Sequence, residues 1–180
     1  MYIISKYKEE FEMHIYDEST GEVYTSHTDV MKRAAYEARL GVDHKLGGPF
    51  GAAITRGDQL ISVACNTVLT DHDPTAHAEI NAIRLACKSL KTHDLSGYTL
   101  YATGAPCPMC LAAIIWSNIK TIYVSGLAVD AADIGFRDYE MYRYIKSNDP
   151  DPSILDIKMI DRQIAVDLYK DYAAKHGTMY

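Results

Sequence analysis

The sequence has no apolar run long enough to span a bilayer, and its opening Met1-Tyr2-Ile3-Ile4-Ser5-Lys6 lacks the apolar core of a secretory leader. It also lacks a basic stripe. Eighteen Lys and Arg are scattered against 24 Asp and Glu, for a net charge of −6, which argues against a partner held by its phosphate backbone. No low-complexity tract, internal repeat or dividing linker appears, so disorder and repeat architectures are excluded. Cysteine is sparse: Cys65, Cys87, Cys107 and Cys110 alone. Without an export signal they read as reduced thiols, and the expected compartment is the cytoplasm.

What is present suits one domain. Nearly half of the 180 residues are hydrophobic, enough for a sizeable core. Residues 1–27, rich in charge and aromatics around a turn-like Asp17-Glu18-Ser19-Thr20-Gly21, read as an N-terminal extension with a short hairpin, and residues 28–180 as the domain proper. Thr28 or Asp29 is a candidate cap for a helix to about Leu40, burying a side drawn from Val30, Met31, Ala34, Ala38 and Leu40. Gly47-Gly48-Pro49 breaks that pattern. Phe50 to Thr55 and Leu60 to Thr67 then read as strands around the Arg56-Gly57-Asp58-Gln59 turn.

Asp73-Pro74 reads as cap and first position of a helix to about Leu90, and Pro106 as the opening of another through Trp116. Tyr98 to Thr103, Ile119 to Ser125 and Ile154 to Ile160 complete five strand candidates. Helices are expected over Asp130 to Ile134, Tyr139 to Lys146 and Arg162 to Lys175. Strands alternating with helices predict an α/β domain with helices covering a mixed sheet.

Two short motifs carry the chemistry. Cys107 and Cys110, three apart at a helix start, lie about 60° apart around the axis and face one target. The free N–H groups of a first helical turn favour thiolates. His77 can supply a third ligand and water a fourth, the pattern of catalytic rather than structural zinc. Glu79, about 200° round the helix from His77, cannot ligate from the same face and suits proton transfer instead. Alone, Cys107 and Cys110 equally fit a redox dithiol or half of a structural zinc site, and a lone His is more often core. His77-Ala78-Glu79 followed by Pro106-Cys107-Pro108-Met109-Cys110 is, however, the joint signature of zinc deaminases. Cys65 and Cys87 have no such company and read as core.

From about Asp29 onward the chain resembles the guanine deaminases of bacterial type, within the cytidine and deoxycytidylate deaminase superfamily. The resemblance is carried by Pro74 to Arg84 and Pro106 to Trp116, and more discriminatingly by Gly47-Gly48-Pro49-Phe50-Gly51-Ala52, Cys65-Asn66 and Asp130 to Asp138. It implies a three-layer α/β/α sandwich around a mixed five-stranded sheet, a zinc cofactor, and hydrolysis of guanine to xanthine and ammonia in purine catabolism. It further implies Phe50 stacking on the purine opposite His77, Asn66 bonding the ring, Asp138 accepting from ring N–H and amino group, and Trp116 lining the pocket. In a domain-swapped homodimer, Tyr180 would close the neighbour's site. Where the family often has Glu before Pro-Cys, this chain has Ala105. Cytosine, another aminopurine or aminopterin, and adenosine in transfer RNA stand as alternative substrates for the same chemistry. A non-catalytic zinc-binding or thiol-redox module is the alternative outside enzymes.

Overall fold

In the computed structural model, which describes residues 13–136, 138–147, 151–176 and 178, a six-stranded mixed sheet runs in the order β2-β1-β4-β3-β5-β6. The strands are β1 (Ile15–Tyr16), β2 (Val23–Tyr24), β3 (Gly51–Arg56), β4 (Gln59–Cys65), β5 (Thr99–Ala102) and β6 (Thr121–Val124). The helices are α1 (His27–Asp43), α2 (Val68–Asp71), α3 (Ala78–Leu90), α4 (Pro108–Trp116), α5 (Ala128–Asp133), α6 (Asp138–Lys146) and α7 (Arg162–Ala174). β1 pairs antiparallel with β2 and parallel with β4; β3 is antiparallel to both β4 and β5; β5 is parallel to β6. Among the described residues no helix is long and apolar enough to cross a membrane.

Side-chain alternation along the central strands sorts the core into two layers. Ala52 and Ile54 of β3, with Leu100 and Ala102 of β5, face α3 through Ala78, Ala82 and Ala86. Ala53 and Tyr101 point the other way, to Val30 and Ala34 of α1. Alanine on both surfaces lets the helices sit close. At Gly51 a side chain would come within 2.0 Å of the Ala34 carbonyl oxygen, so only glycine fits beneath α1 there.

The sheet differs from expectation in its outer strands. Ile154 to Ile160 is not a strand: Ile157, Met159 and Ile160 are exposed, the segment pairs with neither edge of the sheet, and β-propensity without a packed face makes no ladder. The N-terminal hairpin supplies the extra strands instead. Helix starts differ too. Ser26, not Thr28 or Asp29, caps α1, its hydroxyl accepting the Asp29 N–H at 3.1 Å. Asp73 closes a turn, accepting both the N–H and the hydroxyl of Thr75 at 2.7 Å, and α3 begins only after His77. Pro108 rather than Pro106 takes the first position of α4.

Asp17 fastens the hairpin to α1. It is 3% exposed, accepts the Ser19 N–H at 2.9 Å and lies 3.7 Å from Arg33 Nε. Burial pushes its carboxyl up, but the Ser19 hydroxyl and N–H, with the Arg33 charge, outweigh this and hold it below the usual carboxylate value. A depressed folded-state pKa stabilises above the unfolded value of about 3.9 and stops doing so as pH falls through the folded one. Asp17→Asn is therefore expected to lower stability to urea at pH 7, with a smaller gap to the parent at a pH below the unfolded value of about 3.9. An equal gap at both pH values would contradict the assignment.

Candidate metal centre and active site

Helices α3 and α4 aim their N-termini at one point, next to the ends of β4 and β5. His77 and Cys107 occupy the two N-cap positions with extended backbone, φ −70° and −66°, and neither side chain caps its own helix. Both are thereby free to point outward, and Cys110 joins them from the first turn of α4. His77 Nδ1 lies 3.7 Å from Cys107 Sγ and 3.6 Å from Cys110 Sγ, and the three ligand atoms fall within 4.8 Å of one another. A tetrahedral zinc ion sets nitrogen–sulfur edges of about 3.6 Å and a sulfur–sulfur edge of about 3.8 Å, so the donor set fits.

The thiols are electrostatically prepared. Cys110 donates to the Cys107 sulfur, which with His77 nearby holds Cys107 far below the ordinary thiol range and Cys110 above it. A divalent ion would take both to thiolates. All four cysteines are free; Cys65 is buried and Cys87 half-buried.

Around this centre a cleft is lined by Phe50, Asn66, Glu79, Gly104, Phe136 and Asp138, together with His77 and Cys107. Glu79 is 7% exposed, and burial pushes its carboxyl above the usual value. Asp138 lines the same cleft from the first turn of α6, and its pKa is raised mainly by burial. Asn66 is 4% exposed, and its amide oxygen accepts the N–H groups of Gly48 at 3.2 Å and Val68 at 3.1 Å. With its oxygen committed to two donors, its NH₂ is what it can offer a ligand. Gly47 makes this possible, since a side chain there would meet Asn66 Oδ1 at 2.1 Å.

Phe50 and Phe136 meet edge to face at 4.8 Å. Gly48 and Gly104 leave room for the two rings: a Cβ would stand 2.9 Å from the Phe136 ring at Gly48 and 3.3 Å from the Phe50 ring at Gly104. Ala105, where the resembling family often has Glu, also lines the cleft.

Of the residues singled out in the sequence, the structure gathers His77, Cys107, Cys110, Glu79, Phe50, Asn66 and Asp138. Trp116 does not join them. It is 66% exposed in the last turn of α4, the end away from the ligands, and is not among the cleft-lining residues. Tyr180 lies outside the described residues. Sequence reasoning missed Phe136 and Asn81. Asn81 Nδ2 donates to the Cys65 carbonyl at 3.0 Å, to Thr67 Oγ1 at 2.9 Å and to the Ala76 carbonyl at 3.3 Å, fixing the His77 loop to the segment that carries Asn66. The available signal was position: Asn81 follows His77 by one helical turn, and Phe136 sits two residues before Asp138.

Comparison with known proteins agrees with this geometry. Residues 24–126 match the model of the cytidine and deoxycytidylate deaminase zinc-binding region. The chain belongs to this family of zinc-binding deaminases. As a deaminase it is an aminohydrolase with zinc as cofactor, and His77, Cys107 and Cys110 are positioned to hold the ion. The deaminase is 44% identical over 120 residues to a guanine deaminase of Bacillus subtilis, a match spanning 67% of this chain and 77% of the relative. A solved structure of guanine deaminase from Bacillus subtilis superposes with a TM-score of 0.71 at 36% identity, covering 81% of this chain and 94% of that one. A transfer-RNA-specific adenosine deaminase of Aquifex aeolicus is 46% identical over 79 residues, which span 44% of this chain and 52% of the relative.

Cys110→Ala removes one of the three side chains positioned to hold the ion. The purified variant is expected to carry well under half the zinc of the parent by metal analysis, where the parent holds about one ion per chain. Undiminished zinc in the variant would mean that the ion sits elsewhere.

Proposed function

We propose that this deaminase hydrolyses guanine to xanthine and ammonia. The observation that carries the reading is the convergence of Asp138 and Asn66, an acceptor and a donor, on the one cleft that also holds Phe50, Glu79 and the ligand set. Guanine presents a ring N–H beside its exocyclic amine, and a carboxylate can accept from both at once. The likeness to guanine deaminases over most of the chain supports the same substrate.

Zinc, when bound, lowers the pKa of water towards about 7 and so makes a nucleophile available at neutral pH. The rest falls to the chain. Phe50 stacks on the purine with His77 across from it, Asn66 donates to the ring, and Asp138 holds the amine at C2 in place. Glu79 takes a proton from the water that attacks C2 and delivers it to N3, then passes a second proton to the departing amine. Water and guanine go in; xanthine and ammonia come out. The raised pKa of Glu79, caused by its burial, suits a group that must alternately take and give a proton near neutrality.

We also infer a homodimer that exchanges C-terminal segments, bringing Tyr180 to the neighbouring site. The support is exposed apolar surface: Ile164, Leu168, Tyr169 and Tyr172 on α7, which buries no residue, and Ile115 on α4. Sedimentation is expected to give twice the chain mass of 20.1 kDa; a monomer at micromolar concentration would contradict the exchange.

The substrate is tested by ammonia release from guanine, cytosine, 2,6-diaminopurine, aminopterin and an adenosine-bearing transfer RNA anticodon stem. Guanine is expected to react fastest. The reading falls if guanine is inert while cytosine or the RNA is deaminated. In the same assay Glu79→Gln is expected to lose at least about 10²-fold in kcat while keeping its zinc.

A further inference from the structure

Asp138 does not sit on the rigid core. Its helix α6 buries no residue, and along it only Asp138, Tyr142 and Tyr144 are even half-buried. A carboxylate on so peripheral a helix needs something to hold it against the metal helix. Tyr142 is one helical turn beyond Asp138, on the same face. Its hydroxyl donates to the carbonyl oxygen of Pro106 at 2.7 Å.

That carbonyl is a particular one. Pro106 is buried and immediately precedes Cys107, the N-cap of α4. The Cys107 carbonyl already accepts the Leu111 N–H as the first bond of the helix, so the Pro106 carbonyl lies outside the helical ladder and needs a partner from elsewhere. Tyr142 supplies it. A single hydrogen bond thus ties the residue before a metal ligand to the helix that carries Asp138.

We propose that Tyr142 is a positioning residue for deamination: its bond to the Pro106 carbonyl sets where the Asp138 carboxylate stands over the cleft. The proposal rests on the reading of Asp138 as a substrate acceptor. Phe at this position keeps the ring and its contact with Lys146, whose Nζ lies 5.9 Å from the ring centre, and removes the hydroxyl alone. The Pro106 carbonyl then loses its partner and α6 its fixed distance from the ligands.

The experiment is a double-mutant cycle on the zinc-loaded protein with guanine, using Tyr142→Phe, Asp138→Asn and the pair, with zinc content and thermal midpoint measured on each. Tyr142→Phe is expected to retain its zinc and to lower kcat/KM about five- to tenfold, the worth of one hydrogen bond. Asp138→Asn alone is expected to lose more, and Tyr142→Phe to cost less than twofold in that background, because the residue it positions no longer acts. An equal loss in both backgrounds, an unchanged kcat/KM, or loss of zinc or fold in Tyr142→Phe would each overturn the proposal. If Asp138→Asn itself is as active as the parent, the substrate role of Asp138 falls first, and the role of Tyr142 with it.

Discussion

Two helix N-termini pointing at one spot are the constraint on which the rest of this molecule depends. An imidazole and two sulfurs must be brought to within 4.8 Å of one another from positions 30 and more residues apart. The fold does this by seating α3 on the central strands through an alanine surface and laying α4 against it. Both helices then start beside the ends of β4 and β5. The free N–H groups of those first turns favour the negative sulfurs, and the N-cap positions, usually given to a side chain that caps, are given to His77 and Cys107 instead. Asn81 trades three hydrogen bonds for the same end, holding the loop before His77 to the strand end that carries Asn66.

Around the ligands the chain divides its carboxylates by environment. Glu79 lies buried in α3, where burial raises its pKa; Asp138 reaches the same cleft from a helix that lies on the surface. In the proposed reaction the first moves protons and the second holds the substrate. The division has a dynamic side. Residues in the core are fixed by many neighbours, whereas α6 depends on a few contacts, among them the Phe50–Phe136 ring pair just before it and the Tyr142 hydroxyl. In that proposal substrate recognition rests on the less anchored half of the site, and the metal on the more anchored half.

The chemistry was legible in the sequence because it is local. His77-Ala78-Glu79 and Cys107 to Cys110 are short, and helical geometry alone says which of those side chains can share a target. The two central strands β3 and β4 were legible from the Arg56-Gly57-Asp58-Gln59 turn between them. The outer sheet was legible only in part: the turn-like Asp17 to Gly21 announced the hairpin of β1 and β2 but not its pairing with β4, and Ile154 to Ile160 carries strand-like residues that form no strand. Helix starts were displaced because Asp73 and Pro106, good openers by type, have their groups engaged in turn and loop contacts. Phe50, Asn66 and Asp138 came by resemblance, and the structure puts them in one cleft; Trp116 came the same way and lies outside it. Tyr142 had no signal at all, since nothing in its neighbourhood along the chain points to a carbonyl 36 residues earlier.

The central claim is that the ion is held by one imidazole and two thiolates with its fourth corner left to a water. X-ray absorption at the zinc edge of the purified protein reads this directly. The account predicts about two sulfur neighbours near 2.3 Å and two lighter neighbours near 2.0 Å, of which only one is a histidine nitrogen. A shell of four protein ligands, or a protein that takes up no zinc when it is supplied, would contradict it.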